Sequence, residues 1–187
     1  MIPFADATAQ IARLLAERVP AGRTGFVAID GQSCAGKTTF AAHLADTLPG
    51  AVIVHGDDMS RAGRPLWEHE RFAAEVYGPL STGTEARYRR WHWTSVEPGE
   101  EYVVPTGVPV IVEGVHTIDR AVEVPWDVRV WVDVDRDLRL GRAKEREGGA
   151  RWACWSTNWM PQEDAYVADQ DPASTADLVV DGDTADR

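Results

Sequence analysis

Eight consecutive residues carry the sharpest chemical signal in the chain: Gly31-Gln32-Ser33-Cys34-Ala35-Gly36-Lys37-Thr38. They satisfy G-x-x-x-x-G-K-[ST] in full, with an apolar run before them and helical spacing after them. Glycines let the backbone curl so that successive N–H groups face a phosphate chain. The N-terminus of the following helix adds the positive end of its dipole. Lys37 is placed to reach β- and γ-phosphates, and the Thr38 hydroxyl to hold Mg²⁺. The expected nucleotide-binding set is therefore Gly31, Ser33, Cys34, Ala35, Gly36, Lys37, Thr38 and the adjoining Thr39, with ATP and Mg²⁺ as cofactors. Cys34 reads as a small filler inside the loop rather than a catalytic thiol, although a helix N-terminus lowers thiol pKa values.

Moving a phosphoryl group to an alcohol needs a base near the hydroxyl and a group that orders the metal. Two acidic sites follow apolar runs: Asp57-Asp58 after Ala51-Val52-Ile53-Val54-His55, and Glu113 closing Pro109-Val110-Ile111-Val112. Either aspartate is a candidate base. Glu113 is a candidate metal or acceptor ligand. Arg136, Arg139, Arg142 and Arg146, spaced three, three and four apart, share most of one helical face. Gathered in an acidic chain, they suit neutralisation of phosphate charge, with Arg142 and Arg146 the candidates to close on the transferred group. The alternative is a solvated face paired with its own acids. Trp152, Trp155 and Trp159 also share a helical face. Packing between lid and core is their ordinary use, and stacking on a flat ligand the sharper one. Asp58, Tyr88, Arg89, Trp93 and His116 complete the set as candidate substrate contacts.

These residues need a scaffold. Helices are expected over 5–19, 37–48, 66–77, 83–90, 136–147 and 161–170, and strands over 25–30, 51–55, 109–113, 128–134 and 176–180. Short apolar strands alternating with helices indicate an α/β domain, a parallel sheet covered on both faces. In such a sheet ligands bind beyond the carboxyl ends of the strands, where the loop and both acidic sites fall. No linker divides the 187 residues, so one domain is expected, with 59–106 a substrate lobe and 136–160 a lid.

Composition narrows the partners. With 19 Lys+Arg and 30 Asp+Glu the net charge is −11, which disfavours nucleic acid and anionic membrane. Two cysteines make no disulfide framework or zinc pattern. No run approaches a membrane span, and the first residues lack a signal-peptide pattern. A cytoplasmic enzyme acting on a small hydroxyl compound is the expectation, with oligomeric state open.

The phosphate loop, the segment Val52-Ile53-Val54-His55-Gly56-Asp57-Asp58, and Val110-Ile111-Val112-Glu113-Gly114 together resemble the uridine kinase-like P-loop kinases. Asp133-Val134-Asp135-Arg136-Asp137-Leu138-Arg139-Leu140-Gly141-Arg142 is similar to that family's strand entering its arginine-bearing lid, and Ala176-Asp177-Leu178-Val179-Val180-Asp181-Gly182 to its last strand. The resemblance implies transfer of the ATP γ-phosphate to a hydroxyl, usually a nucleoside's 5′-hydroxyl, with Asp57 as base and Glu113 as the supporting carboxylate. Met59-Ser60 stand where the family has an aromatic pair, and Tyr88-Arg89-Arg90-Trp91-His92-Trp93 is a loose counterpart of its nucleoside-contacting region. The acceptor therefore stays open among a nucleoside, a sugar, an antibiotic and a nucleoside monophosphate. A regulatory NTPase that binds a protein is the competing class, though the N-K-x-D motif of guanine-specific switches is absent.

Overall fold

The computed structural model describes residues 1–60, 68–92 and 95–183, with the side chains of 147 and 149–151 left aside. The chain begins with α1 (Phe4–Arg18), β1 (Phe26–Asp30), α2 (Lys37–Thr47), β2 (Val52–His55) and a 3₁₀ turn at Gly56–Met59. A helical run follows, made of α3 (His69–Phe72), a π-helical turn Ala73–Tyr77 and α4 (Gly78–Ser81). Next come β3 (Ala86–His92), β4 (Glu97–Val104), β5 (Val110–Glu113) and β6 (Val128–Asp133). The last part holds α5 (Arg136–Glu147), α6 (Gly149–Cys154), a second π-helical turn Trp155–Trp159, α7 (Met160–Gln170), α8 (Pro172–Thr175) and β7 (Leu178–Asp181).

Five strands form one parallel sheet in the order β2-β5-β1-β6-β7. Side chains alternate across it, and both faces are buried. Val27, Ile29, Ile111, Val128, Val130 and Val132 meet α1 and α2 through Ile11, Leu15, Phe40 and Leu44. On the opposite face Phe26, Val54, Val110 and Val112 meet Phe72, Val76 and Leu80 of the helical run and Ala86, Tyr88 and Val104 of the hairpin. Each fully buried Leu, Ile or Phe contributes about 1.5–3 kcal/mol relative to exposure. This double burial is why β1 and β5 read as continuous apolar runs, while β6 alternates, with Arg129 and Asp133 exposed.

The helix expected over 83–90 is instead the start of β3, paired antiparallel with β4. Arginine is a good helix former, and the three arginines Arg87, Arg89 and Arg90 mask the pleat. The burial is period two: Ala86 and Tyr88 are buried, Arg87 and Arg89 exposed. The helix expected over 66–77 runs from His69 through Ser81, residues 66 and 67 lying outside the described residues. α5 begins where expected because the Asp135 carboxylate caps it, accepting from the Asp137 and Leu138 amides at 2.9 and 3.2 Å. No described helix is long and apolar enough to cross a membrane.

Candidate active site

β1, the strand at the centre of the sheet, delivers the phosphate loop at its carboxyl end. The loop turns through Gly31 at φ +154°, Cys34 at φ +65° and Gly36 at φ +99°. Gly31 is required by space as well as by angle, since a Cβ there would lie 2.6 Å from the Val132 carbonyl oxygen. α2 starts directly at Lys37 with no side-chain cap and no acidic residue in its first turn. Its leading N–H groups and dipole are thus left for an anion, a donor set that fits a nucleotide phosphate chain. Lys37 is 8% exposed and its Nζ donates to the Gln32 carbonyl at 3.0 Å, which folds the ammonium over the loop. A cleft of about 360 Å³ opens above, lined by loop residues Ser33, Cys34, Gly36, Lys37, Thr38 and Thr39 and by Asp57, Glu113, Gly114, Val115, Arg142 and Arg146. Gly31 and Ala35, also expected at the nucleotide, lie outside this lining, with Ala35 buried in the core.

The two acidic strand ends meet here, as the parallel register requires. Glu113 pairs in register with both Ile29 and His55. Val54 and Val112 face the hairpin side, so His55 and Glu113 face the side on which α2 packs. Thr38 Oγ1 lies 3.3 Å from Glu113 Oε1, and His55 Nδ1 is 2.6 Å from the same oxygen. Burial alone would raise the Glu113 carboxyl. The His55 hydrogen bond, the Lys37 charge and the Thr38 hydroxyl outweigh it and hold the group below its ordinary range. Asp57 is shifted the other way. Desolvation by the cleft walls pushes it up first and the Glu113 charge adds to this, with Lys37, His55 and Arg146 opposing. Among the described residues no group of three His, Cys, Asp or Glu side chains forms a metal cage. The Thr38–Glu113 pair instead suits Mg²⁺ that takes its remaining ligands from phosphate and water.

Asp57 and Asp58 separate clearly. Asp57 borders the cleft, whereas Asp58 turns into the hairpin side, where Arg90 Nε lies 3.0 Å from its carboxylate. Tyr88 is buried there, stacked on Tyr102 at 5.5 Å. Arg89 borders a separate cleft with Arg71, Glu75, Trp91 and Pro98. These candidate substrate residues therefore lie beside the phosphate cleft rather than in it. Trp93 lies outside the described residues. His116, also expected near substrate, is buried away from the cleft. Its ring stacks on Tyr166 at 4.0 Å and its Nδ1 meets Asp119 at 3.1 Å.

The arginine face divides. Arg142 and Arg146 line the cleft, and Arg142 donates to the Gly182 carbonyl at 3.0 Å. Arg139 is 1% exposed and pairs with Glu163 at 3.1 Å and Asp164 at 3.3 Å, while Arg136 pairs with Asp164 at 3.2 Å. The acids opposite these two arginines thus come from α7, not from α5. Glu163 also accepts from the Ser33 amide at 2.9 Å and from the Ser33 hydroxyl, and Asp164 from the Gln32 amide group at 2.8 Å. Trp155 covers the Arg139 guanidinium at 5.9 Å and stands 5.4 Å from Trp152. Trp152 also lies 5.4 Å from the Lys144 ammonium, so these two tryptophans make contacts within the 136–160 segment.

Four contributors had no place in the sequence reading. His55 was visible as the polar end of an apolar strand. Asp30 was visible too, as the acidic residue immediately before Gly31. Its buried carboxylate accepts from Gly31 N at 2.6 Å, His116 N at 3.0 Å, Ile118 N at 2.9 Å and Tyr166 OH at 2.8 Å. Burial pushes Asp30 up, and these donors oppose it. Glu163 and Tyr166 left no local signal, because their partners lie 130 and 136 residues away. Gly182 is a further constraint. A Cβ there would fall on the Ala35 carbonyl oxygen and lie 2.7 Å from that of Asp133. Gly182→Ala should displace the loop at a cost of about 1–3 kcal/mol. We expect weaker binding of a fluorescent ATP analogue with the far-UV circular dichroism unchanged. Unaltered affinity would show that the loop does not depend on this close approach.

No protein-family model matches the sequence, and a search of curated proteins finds no match. Solved structures do match. The "possible uridine kinase" of Bacillus stearothermophilus superposes with a TM-score of 0.69 at 18% identity, over 95% of this chain and 98% of that one. The "putative fructose transport system kinase" of a Silicibacter species superposes with a TM-score of 0.62 at 20% identity, over 92% and 98%. Five parallel strands flanked by helices, with a phosphate loop on the central strand, give this chain the α/β fold of these P-loop kinase-like structures.

Proposed function

We propose that the protein is a phosphotransferase that moves the γ-phosphoryl group of ATP to a hydroxyl of an uncharged small molecule, most simply a nucleoside. The observation that carries this reading is the division of labour between two carboxylates in one cleft. Glu113 is held ionised against Thr38, while Asp57 is shifted upward and borders the open space. Oppositely shifted neighbours are how one site separates a metal-holding role from a proton-accepting one.

Mg²⁺-ATP brings the phosphoryl group and the cation that spreads its charge. The chain's own residues do the rest. The amides from Ser33 to Thr39 cradle the phosphates, and Lys37 exchanges the Gln32 carbonyl for a phosphate oxygen. Thr38 and Glu113 would hold the cation. Asp57 accepts the proton from the acceptor hydroxyl as the new O–P bond forms and the bond between the γ-phosphorus and the β–γ bridging oxygen breaks, with ADP leaving. Arg142 and Arg146, from the 136–160 lid, face the transferred group and help exclude water, so that the acceptor outcompetes hydrolysis.

The acceptor's charge is argued from the hairpin. Arg87 is paired with Glu85 and Glu101, Arg90 with Asp58, and Arg71 with Glu75. These acids already neutralise three arginines on the hairpin side, which favours an uncharged hydroxyl compound, while Arg89, donating to the Gly99 carbonyl at 3.1 Å, keeps a nucleoside monophosphate as a further choice. The uridine kinase-like neighbour supports a nucleoside, and the fructose transport system kinase keeps a sugar as the second choice. ADP formation from Mg²⁺-ATP, followed against nucleosides, sugars, hydroxylated antibiotics and nucleoside monophosphates, tests the reading. Stimulation by a nucleoside or sugar supports it. Hydrolysis at one rate whatever is added would favour the regulatory NTPase.

A further inference from the structure

We infer that His55 is a positioning residue for the cation site: it fixes the rotation of the Glu113 carboxylate and so sets how much Mg²⁺ is needed for tight nucleotide binding. The inference rests on the proposed roles of Thr38 and Glu113. β2 and β5 run parallel with His55 and Glu113 in register, so the ring and the carboxylate leave neighbouring strands at one level and on one face. An ionised carboxylate only accepts hydrogen bonds, so the proton between them sits on His55 Nδ1. Thr38 Oγ1 reaches the same oxygen, Oε1. Two donors converging on one oxygen hold the carboxylate plane, where one donor would let it turn.

A packing role does not account for the residue. The His55 side chain is 39% exposed, and the buried core on either side of it is supplied by other residues. Asp57 and Asp58 lie within its electrostatic reach, as does Arg90, so the ring sits between the cation site and the acidic turn. Residues that orient a metal-holding group change metal affinity by about 10–100-fold when removed.

The test is calorimetric binding of a non-hydrolysable ATP analogue at rising Mg²⁺, in the wild type, His55→Ala and His55→Asn, with melting curves as a check of folding. The Asn amide nitrogen stands close to where Nδ1 was and restores a donor. We expect the metal-free affinity of His55→Ala to match the wild type, its Mg²⁺ requirement to rise by about 10–100-fold, and His55→Asn to recover most of the loss. A wild-type Mg²⁺ requirement in His55→Ala overturns the inference. So does an equal loss of metal-free and metal-loaded affinity, which would mean a general structural role. A wild type whose analogue binding ignores Mg²⁺ overturns the cation-site reading itself, and that result appears before any variant is made.

Discussion

Asp57→Asn should lower turnover by about 10²–10⁴-fold, the usual contribution of a positioned general base, and leave ATP affinity nearly unchanged. The amide keeps the size of the side chain and its place at the cleft but cannot take a proton. Asp58→Asn is the matched control. Asp58 is turned toward Arg90, so its loss should be felt in the hairpin rather than in proton transfer. The wild-type rate profile adds a second readout. Turnover needs Asp57 ionised, so it falls as pH drops through the Asp57 pKa. Desolvation and the neighbouring Glu113 charge raise that pKa, so the acid limb is shifted upward from where an ordinary aspartate would set it. Steady-state kinetics with the best acceptor check both statements. Unchanged turnover in Asp57→Asn would remove the base assignment.

Arg139→Met should cost stability rather than chemistry. The Arg139 guanidinium is 1% exposed, and its partner Glu163 has a side chain 5% exposed. Removing the arginine leaves a buried carboxylate uncompensated, a loss of about 3–5 kcal/mol. For a chain of this size that is a fall in Tm of roughly 6–20 °C. The double variant Arg139→Met with Glu163→Gln should regain much of it, because the buried charge is gone while the amide can still meet Ser33. Differential scanning calorimetry measures both. A single variant melting within a degree or two of the wild type would mean that Glu163 is satisfied by Ser33 and its surroundings alone. The same pair predicts coupling between α7 and the loop: in Arg139→Met, nucleotide binding should weaken together with stability.

The parts of the molecule that sequence reveals are those whose physics is local. The phosphate loop is a contiguous pattern with a strand before it and a helix after it, and each of its residues arrives where the pattern places it. The sheet was legible because burial of both faces writes β1 and β5 as apolar runs, while β6 shows itself by valines alternating with Arg129, Trp131 and Asp133. Asp57 and Glu113 were legible because strand ends in a parallel sheet converge. The hairpin was misread because Arg87, Arg89 and Arg90 favour helix and only Ala86 and Tyr88 carry the alternation. The residues alone leave Asp57 and Asp58 open and the resemblance points to Asp57; the structure adds that Asp57 borders the cleft while Asp58 meets Arg90. The Arg139–Glu163–Ser33 link and the Asp30–Tyr166 bond join residues remote in sequence, and nothing local to either partner announces them. His55 lies between these cases. Its position at a strand end was visible, but its meaning depends on register with Glu113.

The most direct test of the account follows the phosphate itself. ATP carrying heavy oxygen in its γ-phosphate would be incubated with the wild type, Mg²⁺ and the acceptor that best stimulates ADP formation, and the products read by mass spectrometry. The account predicts one labelled phosphate added to the acceptor, and far less product from Asp57→Asn. Label recovered only as inorganic phosphate, with every acceptor unmodified, would contradict it.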